Sequence, residues 1–244
     1  MSDSASIQGV SVAYGTRGLT KLIESLGPDT ALTRASLVSL NGLLSNQETK
    51  LQAVAYQAPP LVPALVALLA TEDDDVQRLA ATALGSLSLV YQGRVAAQRA
   101  GAVAALERAF SATVPVAAAS ATALLSLSQS RDGCGVLMEC GDTLVATLTV
   151  ALSGPPAVAS PCLATLSNLL RLDLGVHDAL AAGIVPALHA TILKARRESD
   201  ELKHALQALW NLSNTHEGKA AVVEEGLLPT LGQKVDGGEC QIAN

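Results

Sequence analysis

Aromatic side chains are nearly missing from this sequence, with one Phe, three Tyr and one Trp in 244 residues. Strand-built cores draw heavily on Tyr, Phe, Ile and Thr, so the composition argues against a sandwich or barrel. A basic excess is also lacking. Sixteen Lys and Arg stand against 22 Asp and Glu, a net charge of -6, which removes the broad cationic face needed to neutralise phosphates. The four cysteines (Cys134, Cys140, Cys162, Cys240) form no CxxC pair and the opening MSDSASIQGV has neither a basic nor an apolar leader region; they read as reduced thiols in a cytosolic compartment. No run of about 18 residues stays apolar, which argues against a membrane span. Gly-rich phosphate loops, GxSxG elbows and paired-carboxylate motifs are absent, and His177, His189, His204 and His216 have no cysteine or carboxylate at ligand spacing. The expectation is a chain with no catalytic, cofactor-binding or metal site, no small-molecule substrate, and no nucleic-acid or membrane partner.

What remains is abundant Ala, Leu and Val, within a 49% hydrophobic composition. Ala and Leu are the strongest helix formers, so the fold class is all-α. Residues 1–13 read as a flexible or partner-ordered tail, 14–235 as one helical domain, and 236–244 as a C-terminal tail. Arg17–Leu26 has leucines at helical spacing, Gly27-Pro28 breaks it, and Asp29 or Thr30 caps a second helix carrying Leu37, Leu40, Leu43 and Leu44. A helix over about Glu48–Ala58 then leads to Pro59-Pro60.

An internal repeat follows. Glycines pair at an interval of eight four times, Gly93/Gly101, Gly133/Gly141, Gly175/Gly183 and Gly218/Gly226. Each pair brackets a segment long enough for about two helical turns, with the second glycine available as a left-handed stop. An apolar second helix comes next, with Pro63, Pro186 and Pro229 at its start, where a missing N–H costs nothing. A longer third helix carries leucine pairs in register: Leu40/Leu43, Leu84/Leu87, Leu124/Leu127, Leu166/Leu169 and Leu209/Leu212. Carboxylates at 72–75 cap one third helix, Pro115 opens another, and Ser160-Pro161 is expected to open the working part of a third, because proline inside a helix costs about 3 kcal/mol. Four full repeats (about 47–91, 93–130, 132–171 and 173–214) lie between a leading hairpin at 17–45 and a trailing half-repeat from His216.

A period of 40 to 43 residues with one short and two longer helices belongs to the α-solenoids. Gly-x-x-Pro-x-Leu followed by Ala-Leu-Trp-Asn-Leu-Ser (208–213), with GIVPAL and LATLSNLL in support, resembles the armadillo repeat, which implies a right-handed superhelix of three-helix repeats. HEAT repeats have a similar period but two helices. The resemblance implies that third helices line a concave groove, with an asparagine column that bonds an extended partner chain. Here that column reads Gly42, Ser86, Ser126, Asn168 and Asn211. One turn earlier stand Val38, Thr82, Thr122, Ala164 and Gln207, where nuclear-import receptors of this class place tryptophans. The single Trp210 lies off that column, so an importin-like aromatic–amide ladder is not expected. The groove is uncharged and small-sided over its middle repeats, which would let a partner chain approach closely, and it turns polar at His204, Gln207 and Asn211. These residues, with Thr82, Ser86, Thr122, Ser126, Ala164, Asn168 and Trp210, are the expected partner-binding groove. The trailing half-repeat carries no third helix or polar cap, and solenoid ends need caps. Val222, Val223, Leu227, Leu228 and Leu231 are therefore expected to meet another protein.

Residues 13–44 carry a narrower resemblance. Ala13, Tyr14, Gly15, Arg17, Gly18, Leu19, Lys21 and Leu22, then Leu32, Thr33 and Arg34, are similar to the opening of the radial spoke protein 14 family, armadillo proteins of motile cilia and flagella. That resemblance implies a non-enzymatic structural or adaptor subunit of the axonemal radial spoke, with other spoke proteins as partners and a location in the cytoskeleton of the cilium or flagellum. The alternative is a free-standing cytosolic armadillo adaptor that binds extended peptides.

Overall fold

The computed structural model describes residues 16–141 and 143–236. The expected N-terminal tail, the Ala13–Gly15 part of the narrower resemblance, Cys240 and residues 237–244 lie outside them. Sixteen α-helices and no strand occur among the described residues. They fall into two compact units, with the chain divided after Gly141.

In the first unit, α1 (Thr16–Glu24) and α2 (Thr30–Leu43) form the leading hairpin. Asp29 caps α2, accepting from the Leu32 N–H at 3.1 Å. Buried Thr33 both donates to the Gly27 carbonyl at 2.8 Å and accepts from the Gly27 N–H at 3.0 Å, pinning the turn between the helices. Then come α3 (Gln47–Ala55), α4 (Leu61–Leu68) and α5 (Asp74–Ser88), followed by α6 (Tyr91–Arg99), α7 (Ala102–Arg108), α8 (Val114–Ser128) and α9 (Arg131–Cys140). The third-helix series α2, α5, α8 stacks side by side, α5 lying between the other two. Gly85 sets the α5–α8 spacing: a Cβ there would lie 3.0 Å from Ala123 Cα.

The second unit holds α10 (Leu144–Ala151), α11 (Pro156–Leu169), α12 (Asp173–Ala181), α13 (Ile184–Lys194), α14 (Asp200–Leu212), α15 (His216–Glu224) and α16 (Leu227–Asp236). Its third helices α11 and α14 pack on one another, and each packs on the second helix of its own repeat. Leucine dominates both cores, as the repeated pairs predict: Leu40, Leu84, Leu87, Leu124, Leu127, Leu166, Leu169 and Leu212 are at most 1% exposed.

Both glycines of each pair have work to do, but different work. Gly101 and Gly183 take φ of +68° and +72° and start the second helix, where a Cβ would cost about 1–2 kcal/mol. Gly141 takes a negative φ of -129° instead, at the end of α9, which runs on through Cys140. The first glycine is not a boundary at all. Each short helix begins two residues before it, so Gly93, Gly133, Gly175 and Gly218 are third residues, buried against the end of the preceding third helix. A Cβ on them would lie 1.8, 1.7, 2.3 and 2.1 Å from the carbonyl oxygens of Leu87, Leu127, Leu169 and Leu212. The requirement is closeness of approach, not backbone freedom.

Pro63, Pro186 and Pro229 are each the third residue of their helix, inside the turn whose N–H groups have no intrahelical acceptor. Pro161 departs from expectation: α11 begins at Pro156 and runs through it. The carbonyl that Pro161 leaves unpaired is that of Ala157, which is exposed to water, so the usual cost is offset.

Candidate protein-binding site

Four of the ten expected groove residues, Thr82, Ser86, Thr122 and Ser126, lie on third helices of the first unit, on their outward face. Val38, Thr82 and Thr122 are exposed, and Ser86 and Ser126 half-buried. The hydroxyls are oriented by their own helices. Thr82 donates to the Arg78 carbonyl at 2.9 Å, Thr122 to Ala118 at 2.8 Å and Ser126 to Thr122 at 3.1 Å. With those protons committed, Thr82 and Thr122 offer methyls, and all three hydroxyls offer acceptor lone pairs, to whatever approaches. Such a surface suits the N–H groups of an extended chain or the amides of Asn and Gln.

Charges at the edge of this face are paired among themselves. Arg34 reaches Asp73 at 2.6 Å and Asp75 at 3.7 Å, and Arg78 reaches Asp75 at 3.2 Å. Asp73 also caps α5, accepting from the Val76 N–H at 2.9 Å. That N–H bond above all, with Arg34 adding to it, holds the Asp73 carboxyl below its ordinary value.

The second unit behaves differently. Asn211, expected to bond a partner, is buried and turned inward: its Nδ2 donates to the Ser167 carbonyl of α11 at 2.8 Å, and its Oδ1 accepts from Gln207 Nε2 at 3.2 Å. It is a helix–helix fastener, because the amide is long enough to cross to the neighbouring backbone. Ala164 is likewise buried. Asn168 and His204 are half-buried, and Gln207 and Trp210 exposed. At the trailing half-repeat, Val222 and Leu227 are buried and unavailable to a partner, since they are the apolar positions through which α15 and α16 join the unit. Val223 and Leu228 are exposed and Leu231 is half-buried.

One polar cluster had no signal in the sequence. His189 of α13 places Nδ1 3.2 Å from Glu225 Oε1 and Nε2 3.0 Å from Thr230 Oγ1, tying the trailing helices to the repeat before them. Its partners lie 36 and 41 residues away, and no local pattern announces such a pairing.

Reactive groups are few. Burial pushes the Cys162 thiol up to about 12. Cys140 is also raised, by burial first and the Glu139 carboxylate second; neither is a thiolate at neutral pH. Among the described residues no group of three His, Cys, Asp or Glu side chains could hold a metal ion. A groove of about 580 Å³ lies on the first-helix side, between α3, α4 and α6, with Arg99 its only charged lining residue.

Residues 59–89 match the armadillo/beta-catenin-like repeat. No curated protein matches the chain by sequence. Among solved structures, a designed armadillo repeat protein superposes with a TM-score of 0.79 at 20% identity, covering 88% of this chain and 91% of its own. The fold is that of an armadillo-repeat solenoid. Computationally designed armadillo repeat proteins for modular peptide recognition are equally similar, at TM-score 0.79, 21% identity and coverages of 88% and 91%. A further designed armadillo repeat protein, solved in complex with the peptide (KR)4, gives 0.78, 21%, 88% and 90%. The α2, α5, α8 series and the α11, α14 series are therefore armadillo third helices, the element whose outward face the sequence singled out.

Proposed function

We propose that this armadillo chain is a non-enzymatic adaptor that holds other proteins against the outward faces of its third helices. The observation that carries the reading is the Thr82, Thr122 and Ser126 row, an uncharged surface of methyls and pre-oriented acceptors with its neighbouring charges already paired. A designed armadillo protein of the same fold is solved with a strongly basic peptide. The face here has no unpaired carboxylate row of its own in the predicted columns, and Asn211 is spent internally, so the partner suited to it is a neutral, donor-rich segment.

The finer assignment is a structural subunit of the axonemal radial spoke in motile cilia or flagella, with neighbouring spoke proteins as partners. It is supported by the resemblance of residues 13–44. Within that stretch Thr33 pins the first turn and Arg34 pairs with Asp73, so the shared residues build the leading hairpin itself. Fractionation of ciliated cells tests the assignment: the chain should stay with the axonemes through detergent and salt extraction. Recovery only in the soluble fraction would favour the other reading, a free-standing adaptor for extended peptides.

A further inference from the structure

One basic stretch takes no part in the third-helix face of the first unit. The turn between α13 and α14 reads Arg196-Arg197-Glu198-Ser199 and holds the only adjacent arginines in the sequence. Thr20, Ser111 and Ser199 each stand three residues after an arginine, and of these Ser199 alone has a second arginine two residues before it. Thr20 lies inside α1 and is half-buried. Ser111 ends a short 3-10 turn, and its Arg108 is held on its own helix, donating Nε to the Ala104 carbonyl at 3.2 Å.

Ser199 is presented differently. Ala195 and Leu202 are buried and anchor the two ends of the stretch. Between them Arg196, Arg197, Glu198 and Asp200 are exposed, and Ser199 and Glu201 are half-buried. The Ser199 hydroxyl donates to the Arg196 carbonyl at 2.8 Å and accepts from the Leu202 N–H at 3.2 Å, and the Ser199 N–H reaches the same Arg196 carbonyl at 3.3 Å. Glu198 takes φ of +64°, the one non-glycine residue in the left-handed region among the described residues, where its Cβ crowds the backbone. Lifting the turn exchanges a few surface hydrogen bonds for bonds to water and relieves Glu198, and no fully buried side chain has to move.

We propose that Ser199 is a phosphorylation site, modified by a protein kinase that reads arginine two and three residues before its acceptor. Recognition of that kind pairs the two guanidiniums with carboxylates of the kinase, which the fixed fork of arginine donors suits. In the transfer, Ser199 Oγ attacks the γ-phosphorus of magnesium-bound ATP. The new O–P bond forms as the bond from that phosphorus to the β–γ bridging oxygen breaks, ADP departs, and the hydroxyl proton passes to the kinase's catalytic aspartate. The product carries up to about two further negative charges. The fold already accommodates an anion at this place: the residue just before the third helix is Ser199 in α14, and Asp29 and Asp73 before α2 and α5, where both carboxylates act as caps. The site is separate from the Thr82, Thr122 and Ser126 row and from whatever binds there.

The test treats the folded full chain with magnesium ATP and the catalytic subunit of cyclic-AMP-dependent protein kinase, an enzyme of this preference, and follows incorporation by intact mass and peptide mapping. One phosphate per chain is expected, on Ser199. Ser199→Ala should abolish it. Arg196→Ala combined with Arg197→Ala, which leaves the Ser199 cap in place, should lose most of the rate. A folded chain left unmodified overturns the inference, whether or not a synthetic peptide of residues 192–203 is a substrate, because the fold must present the serine. Phosphate placed on Ser111 or Thr20 in preference to Ser199 overturns it too, as does an undiminished rate in the double arginine variant.

Discussion

Gly133→Ala and Gly135→Ala are the same chemical change two residues apart in one helix, and they should move stability in opposite directions. Both sit inside α9, where replacing glycine by alanine gains about 1 kcal/mol through backbone entropy. At Gly135 nothing lies within 4 Å of the added methyl, so the gain is realised in full. At Gly133 the methyl would lie 1.7 Å from the Leu127 carbonyl oxygen and 3.1 Å from Ser130 Oγ. Relief requires α9 to back away from the end of α8, which also loosens buried Cys134 and Leu137 on the same face. Overpacking of this kind costs about 3 kcal/mol at the upper end of the usual range, leaving a net loss of about 2 kcal/mol after the propensity gain. For a chain of this size about 1 kcal/mol corresponds to about 2–4 °C. Gly133→Ala should therefore lower the thermal midpoint followed by circular dichroism at the helical minimum by about 4–8 °C, and Gly135→Ala should raise it by about 2–4 °C. A Gly133→Ala midpoint at or above the parent's would refute the claim that the first glycine of each pair is there for close approach.

Asn211→Ala removes a buried side-chain donor and strands the Ser167 carbonyl, and should cost about 1–3 kcal/mol in urea unfolding; an exposed, partner-facing asparagine would cost almost nothing. Cys162, with its thiol at about 12, and buried Cys134 should escape alkylation in the native state at neutral pH while part-exposed Cys140 reacts, as peptide mapping by mass spectrometry would show. The Asp73 carboxyl lies below the ordinary 3.8 when folded, so its contribution is complete above that value and is lost as pH falls through the lower folded value. Acid titration of Asp73→Ala should accordingly show a shallower loss of stability below about pH 4 than the parent does.

The fold was legible because its signals are periodic and local. Leucine pairs recurring with the glycine interval can be read without knowing what touches what, and prolines fall where orphan N–H groups excuse them. Asp29 and Asp73 announce caps for the same reason: their acceptors reach three residues along the chain. The site was less legible, because its decisive facts are contacts across the chain. Nothing in Ala-Leu-Trp-Asn-Leu-Ser says that the amide of Asn211 turns to Ser167, 44 residues back. Val222 and Val223 are alike in sequence, yet one is buried and the other exposed, since adjacent helical positions differ by about 100°. Pro161 misled because the expectation attached a fixed cost to the residue, whereas the cost depends on whether the carbonyl it frees can find water.

The adaptor claim itself is tested most directly by placing a photo-reactive residue at Thr122, on the exposed third-helix face, and at Val150, which is 75% exposed on the second helix α10. After irradiation in cells that express the chain, Thr122 should yield covalent products with other proteins and Val150 should not. Products from Val150 alone, or none from Thr122, would contradict the account.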